Sequence, residues 1–146
     1  MPKHITMPVA VHLLLKKGNE VLLLRRFNTG YEDGNFSVVA GHVDGGETVQ
    51  AAMIREAAEE AGVQIDAEDI HIVLVMHRRI AQENAERIDY FLCCEKWQGE
   101  PVNREPHKCD LLEWHDMSNL PQNTIAYVRS GIESYLKNKQ FISFGF

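Results

Sequence analysis

Three glutamates, at positions 56, 59 and 60, have the spacing in this sequence that most directly suggests chemistry. On a helix, the spacing i, i+3, i+4 places Glu56, Glu59 and Glu60 within an arc of roughly 100°, so their carboxylates converge. Like charges at these spacings cost about 0.2–0.5 kcal/mol per pair, and no Lys or Arg lies at i+3 or i+4 on the same stripe to offset them. A hard divalent cation would relieve this repulsion. From the helix alone, an acidic face exposed to solvent is the alternative to a metal site.

The segment around these glutamates carries the start and stop signals of a short helix. Thr48 is a suitable N-cap residue, and Gly62 a suitable C′ residue, for a helix of about 13 residues. An apolar arc rich in alanine lies beside the acidic arc, which allows the helix to pack closely against a sheet. This apolar arc consists of Met53, Ile54, Ala57, Ala58 and Ala61.

Residues 41–63 read GHVDGGETVQAAMIREAAEEAGV and resemble the Nudix box. In that motif a glycine is followed after five residues by glutamate. Seven residues later come Arg-Glu, an aliphatic residue, any residue, Glu-Glu, any residue, glycine and an aliphatic residue. At roughly 7 % usage per residue type, seven fixed matches arise by chance about once in 10⁸ starting positions. The fixed positions are filled by Gly41, Glu47, Arg55, Glu56, Glu59, Glu60 and Gly62, and the aliphatic ones by Ala57 (small for its position) and Val63.

The resemblance implies an α/β protein, a Nudix-type α/β/α sandwich with a mixed β-sheet. It also implies Mg²⁺-dependent hydrolysis (with Mn²⁺ as an alternative metal) of a nucleoside diphosphate linked to another group X. The negative charge of a pyrophosphate repels an attacking water, and a divalent cation neutralises that charge, orients the phosphates and acidifies a bound water. By position in the motif, the expected metal ligands are Glu56, Glu59, Glu60 and the carbonyl of Gly41.

Two further roles follow from the resemblance. Glu47 and Arg55 are expected to tie the motif loop to the helix by a charge-assisted hydrogen bond, although Glu47 alone is also compatible with a helix-dipole acid. The base that activates water is either Glu56 or a glutamate on a later loop. Residues 97–105 look like the MutT branch, whose late-loop glutamate aligns with Glu105, and a solvated loop charge is the alternative for this residue. The candidate catalytic residues are therefore Glu56, Glu59, Glu60, Glu105 and Arg55.

Candidates for substrate binding lie outside the motif helix. Arg25 and Arg26 end a predicted strand where the MutT branch places arginines against substrate, and a solvated strand-end pair is the alternative. Asn123 resembles an asparagine that reads the base in that branch, unless it is a turn or N-cap residue. Phe36 is a candidate to stack on a base, although isolated aromatic residues in strands are often core residues. His42 lies in the motif loop beside the expected metal site.

The pattern along the chain indicates a mixed sheet flanked by helices. An apolar run at 9–15, a KKGNE turn and a second run at 21–24 predict a β-hairpin. Further strands are predicted at 36–39, 70–76 and 88–94, with a last strand at 111–114. Beyond residues 118–124 a helix is predicted from apolar residues at helical spacing, namely Ile125, Val128, Ile132, Tyr135 and Leu136.

Length and composition fit one domain over residues 1–146. The apolar fraction of 45 % and the charged fraction of 25 % exclude intrinsic disorder. With a formal net charge of −6 and a pI near 5.6, a nucleic-acid duplex is not an expected partner. The first residues form no apolar signal region, and no apolar run approaches the ~20 residues that span a bilayer. We therefore expect a cytoplasmic protein, not associated with a membrane, whose cysteines are reduced.

These observations favour a hydrolase of a small-molecule nucleotide, specifically a nucleoside triphosphate pyrophosphohydrolase that releases a nucleoside monophosphate and pyrophosphate. A nucleotide-sugar, ADP-ribose or dinucleoside polyphosphate hydrolase using the same metal site is the second hypothesis. A nucleotide-binding module without turnover is the third, and the intact set of glutamates argues against it. The sequence leaves open the identity of X and the base, the phosphorus attacked, and whether the protein is a monomer or a homodimer.

Overall fold

The structure is a computed structural model and describes residues 3–146. It contains eight strands and two helices, with short 3₁₀ turns before and after the fifth strand. The strands are β1 (Val9–Lys17), β2 (Glu20–Arg26), β3 (Phe36–Ser37), β4 (Ala40–His42), β5 (Ile70–Ile80), β6 (Ala85–Cys94), β7 (Cys109–Asp116) and β8 (Phe141–Phe144). The helices are α1 (Val49–Ala61) and α2 (Ala126–Leu136).

The sheet divides where the first two strands separate. β1 and β2 pair only at their hairpin end, where Lys16 lies opposite Val21 and Lys17 opposite Glu20. Beyond that point β1 pairs in parallel with β6 and antiparallel with β4, and β5 and β8 continue this part of the sheet. β2 instead pairs with β3 and β7. The two parts therefore diverge from one hairpin, and the motif loop lies where they diverge.

The two helices cover opposite faces of β1, because successive side chains of a strand point to opposite sides. Val11, Leu13 and Leu15 belong to the core cluster that contains the helix α1. Leu14 belongs to the cluster that contains α2. The predicted α/β sandwich with a mixed sheet is confirmed by this arrangement. No helix within residues 3–146 is long and apolar enough to cross a membrane.

Two predictions about the strands were wrong. Of the strand predicted at 36–39, only Phe36–Ser37 forms a strand, β3, and residues 38–39 lie outside the strands. A separate strand, β4, begins at Ala40, so that Gly41 and His42 of the motif pair with β1. The strand at 111–114 is not the last, because β8 follows α2 and pairs with β5. β8 has only four residues, and its place depends on this distant partner, so no local pattern fixes it. The single domain over residues 1–146 stays a prediction, and its first two residues lie outside the described part of the chain.

Gly131 is a point at which α2 lies very close to the sheet. A Cβ atom built at Gly131 would lie 2.4 Å from the ring of Phe91, which is fully buried in β6. We therefore expect Gly131→Ala to destabilise the protein by about 1–3 kcal/mol through overpacking, despite the ~1 kcal/mol gain in helix propensity. Urea denaturation measures the change.

The matched control is Gly45→Ala, because a Cβ at Gly45 meets no atom within 4 Å. This control should leave the free energy of unfolding unchanged or raise it slightly. A Gly131→Ala variant as stable as the wild type would show that α2 does not pack at this distance from β6.

Candidate active site

Helix α1 is fixed at both ends in the way that its sequence predicts. The side chain of Thr48 accepts a hydrogen bond from the backbone N–H of Ala51 at 3.0 Å. Gly62 ends the helix in the left-handed conformation with φ of 69°, which favours glycine. The buried residues Ala52, Met53, Ala57 and Ala61 set the rotation of the helix against the sheet. This rotation directs the three glutamates into one cleft.

The cleft has a volume of about 400 Å³ and lies between α1, β4 and the loop that precedes β7. Its wall brings together all four glutamates singled out as candidate metal ligands or bases. The side chain of Glu59 is about half exposed, whereas that of Glu56 is mostly covered. The four acidic residues are Glu56, Glu59, Glu60 and Glu105.

Gly41 is a site of close approach between backbone and carboxylate. A Cβ atom at this position would lie 2.1 Å from the carboxyl carbon of Glu56, so no larger residue fits while Glu56 keeps its place. The pairing of Gly41 with Val11 holds this backbone segment beside the helix. The carbonyl of Gly41 and the carboxylate of Glu56 therefore belong to the same small space, and both carry oxygens that Mg²⁺ prefers.

Arg55 donates five hydrogen bonds, and three of them join the helix to the motif segment that precedes it. Its guanidinium donates to both carboxylate oxygens of Glu47, at 2.8 and 3.2 Å, and to the backbone carbonyl of His42 at 3.1 Å. The expected contact between Glu47 and Arg55 is thus present. The bond from Arg55, followed by the backbone N–H of Asp44, holds the pKa of the Glu47 carboxyl below its usual range.

The same guanidinium corrects one expectation from the sequence. Arg55 donates to Glu56 at 2.9 Å and to Glu59 at 3.4 Å, so the glutamate stripe does have a cationic neighbour. Arg55 precedes Glu59 by four residues, so this cationic neighbour lies on the N-terminal side of the glutamate and not at i+3 or i+4 from it. Glu60 forms no ion pair among residues 3–146 in this structure.

Glu60 is therefore the carboxyl group whose charge is least compensated. Burial, together with the neighbouring charges of Glu56 and Glu105, raises the pKa of Glu60 to about 8, and a weak bond from the backbone N–H of Ala40 opposes this rise. Burial also raises the pKa of Glu56, although Arg55 opposes it. Crowded carboxyl groups with raised pKa values are the arrangement that a divalent cation would stabilise in the charged form. The donor set thus fits the expected metal.

Glu105 reaches the cleft because its loop is bonded to the C-terminal end of α1. The backbone N–H groups of Val102 and Arg104 donate to the carbonyls of Ala61 and Glu60. Asn103 then fixes the turn, since its side chain accepts a hydrogen bond from the backbone N–H of Glu105 at 3.0 Å. Asn103 also lines the cleft and was overlooked as a site residue, although an asparagine two positions before a loop glutamate is a common turn signal.

A second group of acidic residues lies outside the cleft, and its carboxylate oxygens lie closer together than those of the cleft glutamates. The carboxylates of Asp66, Glu68 and Asp69 form the group within residues 3–146 in which one oxygen from each residue lies within 4.8 Å of the others. These side chains are exposed or half-exposed on the 3₁₀ turn before β5. Neither a buried polar group nor a cationic side chain accompanies them, so we assign them no role.

The substrate-binding candidates divide into two groups. Arg26 and His42 line the cleft. Arg25 does not line the cleft, and its guanidinium instead donates two hydrogen bonds to Asp110, at 2.8 and 3.2 Å.

The structure also places Phe36 and Asn123 away from the cleft. Phe36 is 6 % exposed and packs in the core, with its ring against His115. Burial of Phe36 leaves no ring face for a base. Asn123 donates to the carbonyl of Gly34 at 2.8 Å and so links the loop after β2 to the segment before α2. The structure therefore does not support these two predictions of substrate contact. It agrees with the alternatives, in which Phe36 is a core residue and Asn123 is a turn residue.

Comparisons with known proteins agree with this geometry. A family model described as NUDIX domain matches residues 6–133. The chain is similar to an ADP-ribose pyrophosphatase of Methanocaldococcus jannaschii, with 42 % identity over 55 residues, which are 38 % of this chain and 32 % of that protein. It is also similar to the 8-oxo-dGTP diphosphatase of Escherichia coli, with 25 % identity over 108 residues, which are 66 % of this chain and 72 % of that protein. The chain therefore spans about a third of the length of the first relative.

Among solved structures, the chain resembles a MutT NUDIX hydrolase from Burkholderia pseudomallei. The TM-score is 0.80 and the identity 24 %, and the match covers 88 % of this chain and 98 % of that one. At this identity the likeness establishes the fold alone.

Removing Arg55 tests the connection between loop and helix. We expect Arg55→Ala to lower both the melting temperature and any metal-dependent activity, because it leaves Glu47, Glu56 and Glu59 without their shared donor. The destabilisation should exceed the ~0.5 kcal/mol that is typical of a solvated surface residue. The matched control is Arg79→Ala, since the side chain of Arg79 makes one long hydrogen bond within residues 3–146, to Asn84 at 3.4 Å. Equal and small effects of both variants on melting would contradict the assigned role of Arg55.

Proposed function

This chain belongs to the Nudix family, and on that premise we propose that it is a divalent-metal-dependent hydrolase of a nucleoside diphosphate linked to another group. The observation that carries the proposal is the cleft in which four glutamates converge, with the pKa of Glu60 raised to about 8. A purely structural surface would separate such charges, because each like-charged pair is destabilising. Their convergence is explained by a bound cation and by the reaction that it supports.

The expected ligands are the carboxylates of Glu56, Glu59 and Glu60 and the carbonyl of Gly41. When bound there, Mg²⁺ (or Mn²⁺) supplies positive charge against the pyrophosphate and lowers the pKa of a coordinated water. Arg55 holds Glu56 and Glu59 in place and joins them to Glu47 on the motif loop. Arg26 and His42 line the cleft, and we expect them to contact the phosphates or the group attached to them.

We assign the general base to Glu105 rather than to Glu56. Glu56 accepts a hydrogen bond from Arg55 and is expected to bind the metal, so its oxygens are already engaged. The side chain of Glu105 has a looser partner, Lys108, at 3.5 Å and is about one quarter exposed to solvent. A carboxylate that keeps free lone pairs can accept the proton of an attacking water.

For the substrate we favour a nucleoside triphosphate, cleaved to a nucleoside monophosphate and pyrophosphate. The similarity to the E. coli 8-oxo-dGTP diphosphatase, which extends over 66 % of this chain, supports this choice. The second candidate is an ADP-ribose-type substrate, favoured by the higher identity to the ADP-ribose pyrophosphatase of Methanocaldococcus jannaschii over a shorter segment.

Three free, buried cysteines support a reducing compartment such as the cytoplasm.

The metal assignment predicts the effect of removing single carboxylates. We expect Glu59→Gln and Glu60→Gln each to lower kcat by about a hundredfold or more, since each removes one charged ligand from the metal. Turnover of a nucleotide panel with Mg²⁺, with products identified by mass, measures the loss. The control is Glu100→Gln, an exposed residue that does not line the cleft, which should turn over normally. Near-wild-type kcat in both cleft variants would remove the basis of the proposal.

The choice of base gives a separate expectation. Glu105→Gln should lower kcat strongly with little change in KM, because a base acts mainly in the transition state. Glu56→Gln should instead weaken the affinity for the metal, which is measured as a higher Mg²⁺ concentration at half-maximal rate. If Glu105→Gln retained full kcat while Glu56→Gln were inactive at saturating Mg²⁺, Glu56 would be the base.

A further inference from the structure

β8 is the outermost strand of the part of the sheet that contains β1, and its outer edge is free. The strands lie there in the order β1, β6, β5 and β8, and no strand within residues 3–146 pairs with β8 on the side away from β5. A free edge presents backbone N–H and C=O groups with which another strand can pair. β8 also lies beyond residues 6–133, which the family model matches, so the family site does not account for its properties.

The pairing of β8 with β5 determines which of its backbone groups point outward. The two strands are parallel, and the backbone N–H of Val75 donates to the carbonyl of Gln140, directly before β8. Neighbouring residues of a strand direct their backbone groups to opposite edges. Ile142, two residues after Gln140, therefore also directs its groups toward β5, whereas Phe141 and Ser143 direct theirs outward. The outer edge of β8 thus offers two N–H donors and two carbonyl acceptors.

The side chains of β8 and of the residues after it are apolar and uncharged. Ile142 and Phe144 pack against the core cluster that contains α2. Phe141 points to the other face of the sheet and is 58 % exposed. The ring of Phe146 is 70 % exposed and lies beside that of His77, with 4.8 Å between the ring centres. Residues 140–146 contain no charged side chain and no proline, which are the features that commonly protect an edge strand.

β7 provides a protected edge in the same protein for comparison. It pairs with β2 alone within residues 3–146, so one of its edges is also free. This strand carries the acidic residues Asp110, Glu113 and Asp116. Like charges on facing strands are destabilising, so they oppose pairing of β7 with a second copy of itself. The edge of β8 carries no such charge, and nothing on it opposes self-pairing.

We propose that β8 is the interface of a homodimer, in which the β8 strands of two copies pair antiparallel about a two-fold axis at Ile142. In this register Phe141 of one copy lies opposite Ser143 of the other, and the two residues exchange both backbone hydrogen bonds. The axis repeats this exchange, so all four outward groups of each copy are paired. The two Phe141 side chains become diagonal neighbours on one face, about 7–8 Å apart, which is within reach of aromatic rings.

A second copy is favoured over an unrelated peptide because it presents the same uncharged edge and the same two outward residues at matching spacing. A two-fold axis also closes the assembly, since each copy uses its β8 edge once. The dimer does not depend on the proposed function, because no residue of β8 lines the glutamate cleft.

Sedimentation equilibrium at protein concentrations up to about 1 mM tests the proposal. We expect the mass to approach twice the 16.6 kDa of the chain as the concentration rises. Phe141→Lys and Phe141→Glu should each raise the dissociation constant of the dimer at least tenfold, because the axis brings two like charges together. An equimolar mixture of these two variants should form dimers again, since it pairs opposite charges. The matched control is Phe27→Lys, an exposed phenylalanine in the loop after β2, which should dimerise like the wild type.

Ser143→Pro tests the backbone contact itself. Proline removes an outward N–H group but no donor to β5, so circular dichroism should show an intact fold. We expect this variant to raise the dissociation constant at least tenfold as well. Ser143→Ala keeps the N–H group and should leave the dimer unchanged. If Ser143→Pro failed to fold, the mixture of the two Phe141 variants would still decide between the outcomes.

Three results would overturn the inference. The first is a wild-type protein that stays monomeric over the whole concentration range. The second is an equal effect of Phe141→Lys and Phe27→Lys on a dimer, which would place the interface elsewhere. The third is a mixture of Phe141→Lys and Phe141→Glu that remains monomeric, which would show that the two Phe141 side chains do not meet across an axis.

Discussion

Repulsion among carboxylates in one cleft is the constraint around which this structure is organised. Four glutamates from the helix α1 and a later loop line the same cavity, and one guanidinium, that of Arg55, reaches Glu47, Glu56 and Glu59. Glu60 lies beyond its reach, and the pKa of Glu60 is raised to about 8. The residues thus hold the carboxylate oxygens together while leaving a deficit of positive charge, and the divalent cation that we propose would supply that charge.

The fold supplies what this arrangement requires. Alanines on the inner face of α1 let the helix lie close to the sheet, and Gly41 lets the carboxylate of Glu56 lie against the backbone of β4. The loop before β7 returns to the end of α1 through backbone hydrogen bonds, and so carries Glu105 to the cleft. The separation of β1 from β2 beyond their hairpin opens space on both sides of the motif strand.

The parts of the site that depend on local spacing could be predicted from the sequence. Thr48, Gly62 and the glutamate stripe act within one helix, and the contact between Glu47 and Arg55 joins neighbouring segments. The parts that depend on sheet pairing could not. Arg25 and Arg26 are adjacent in sequence, yet only Arg26 lines the glutamate cleft, whereas Arg25 is bonded to Asp110 of the neighbouring strand β7.

Direct binding of Mn²⁺, followed by electron paramagnetic resonance of the free ion, tests the central claim without reference to any substrate. We predict that the wild-type protein binds the ion, that Glu56→Gln weakens the binding at least tenfold, and that Asp66→Asn combined with Asp69→Asn leaves it unchanged. The second variant removes two carboxylates from the exposed group outside the cleft, so it controls for general loss of negative charge. Binding that survives Glu56→Gln but disappears with the Asp66 and Asp69 substitutions would contradict the account.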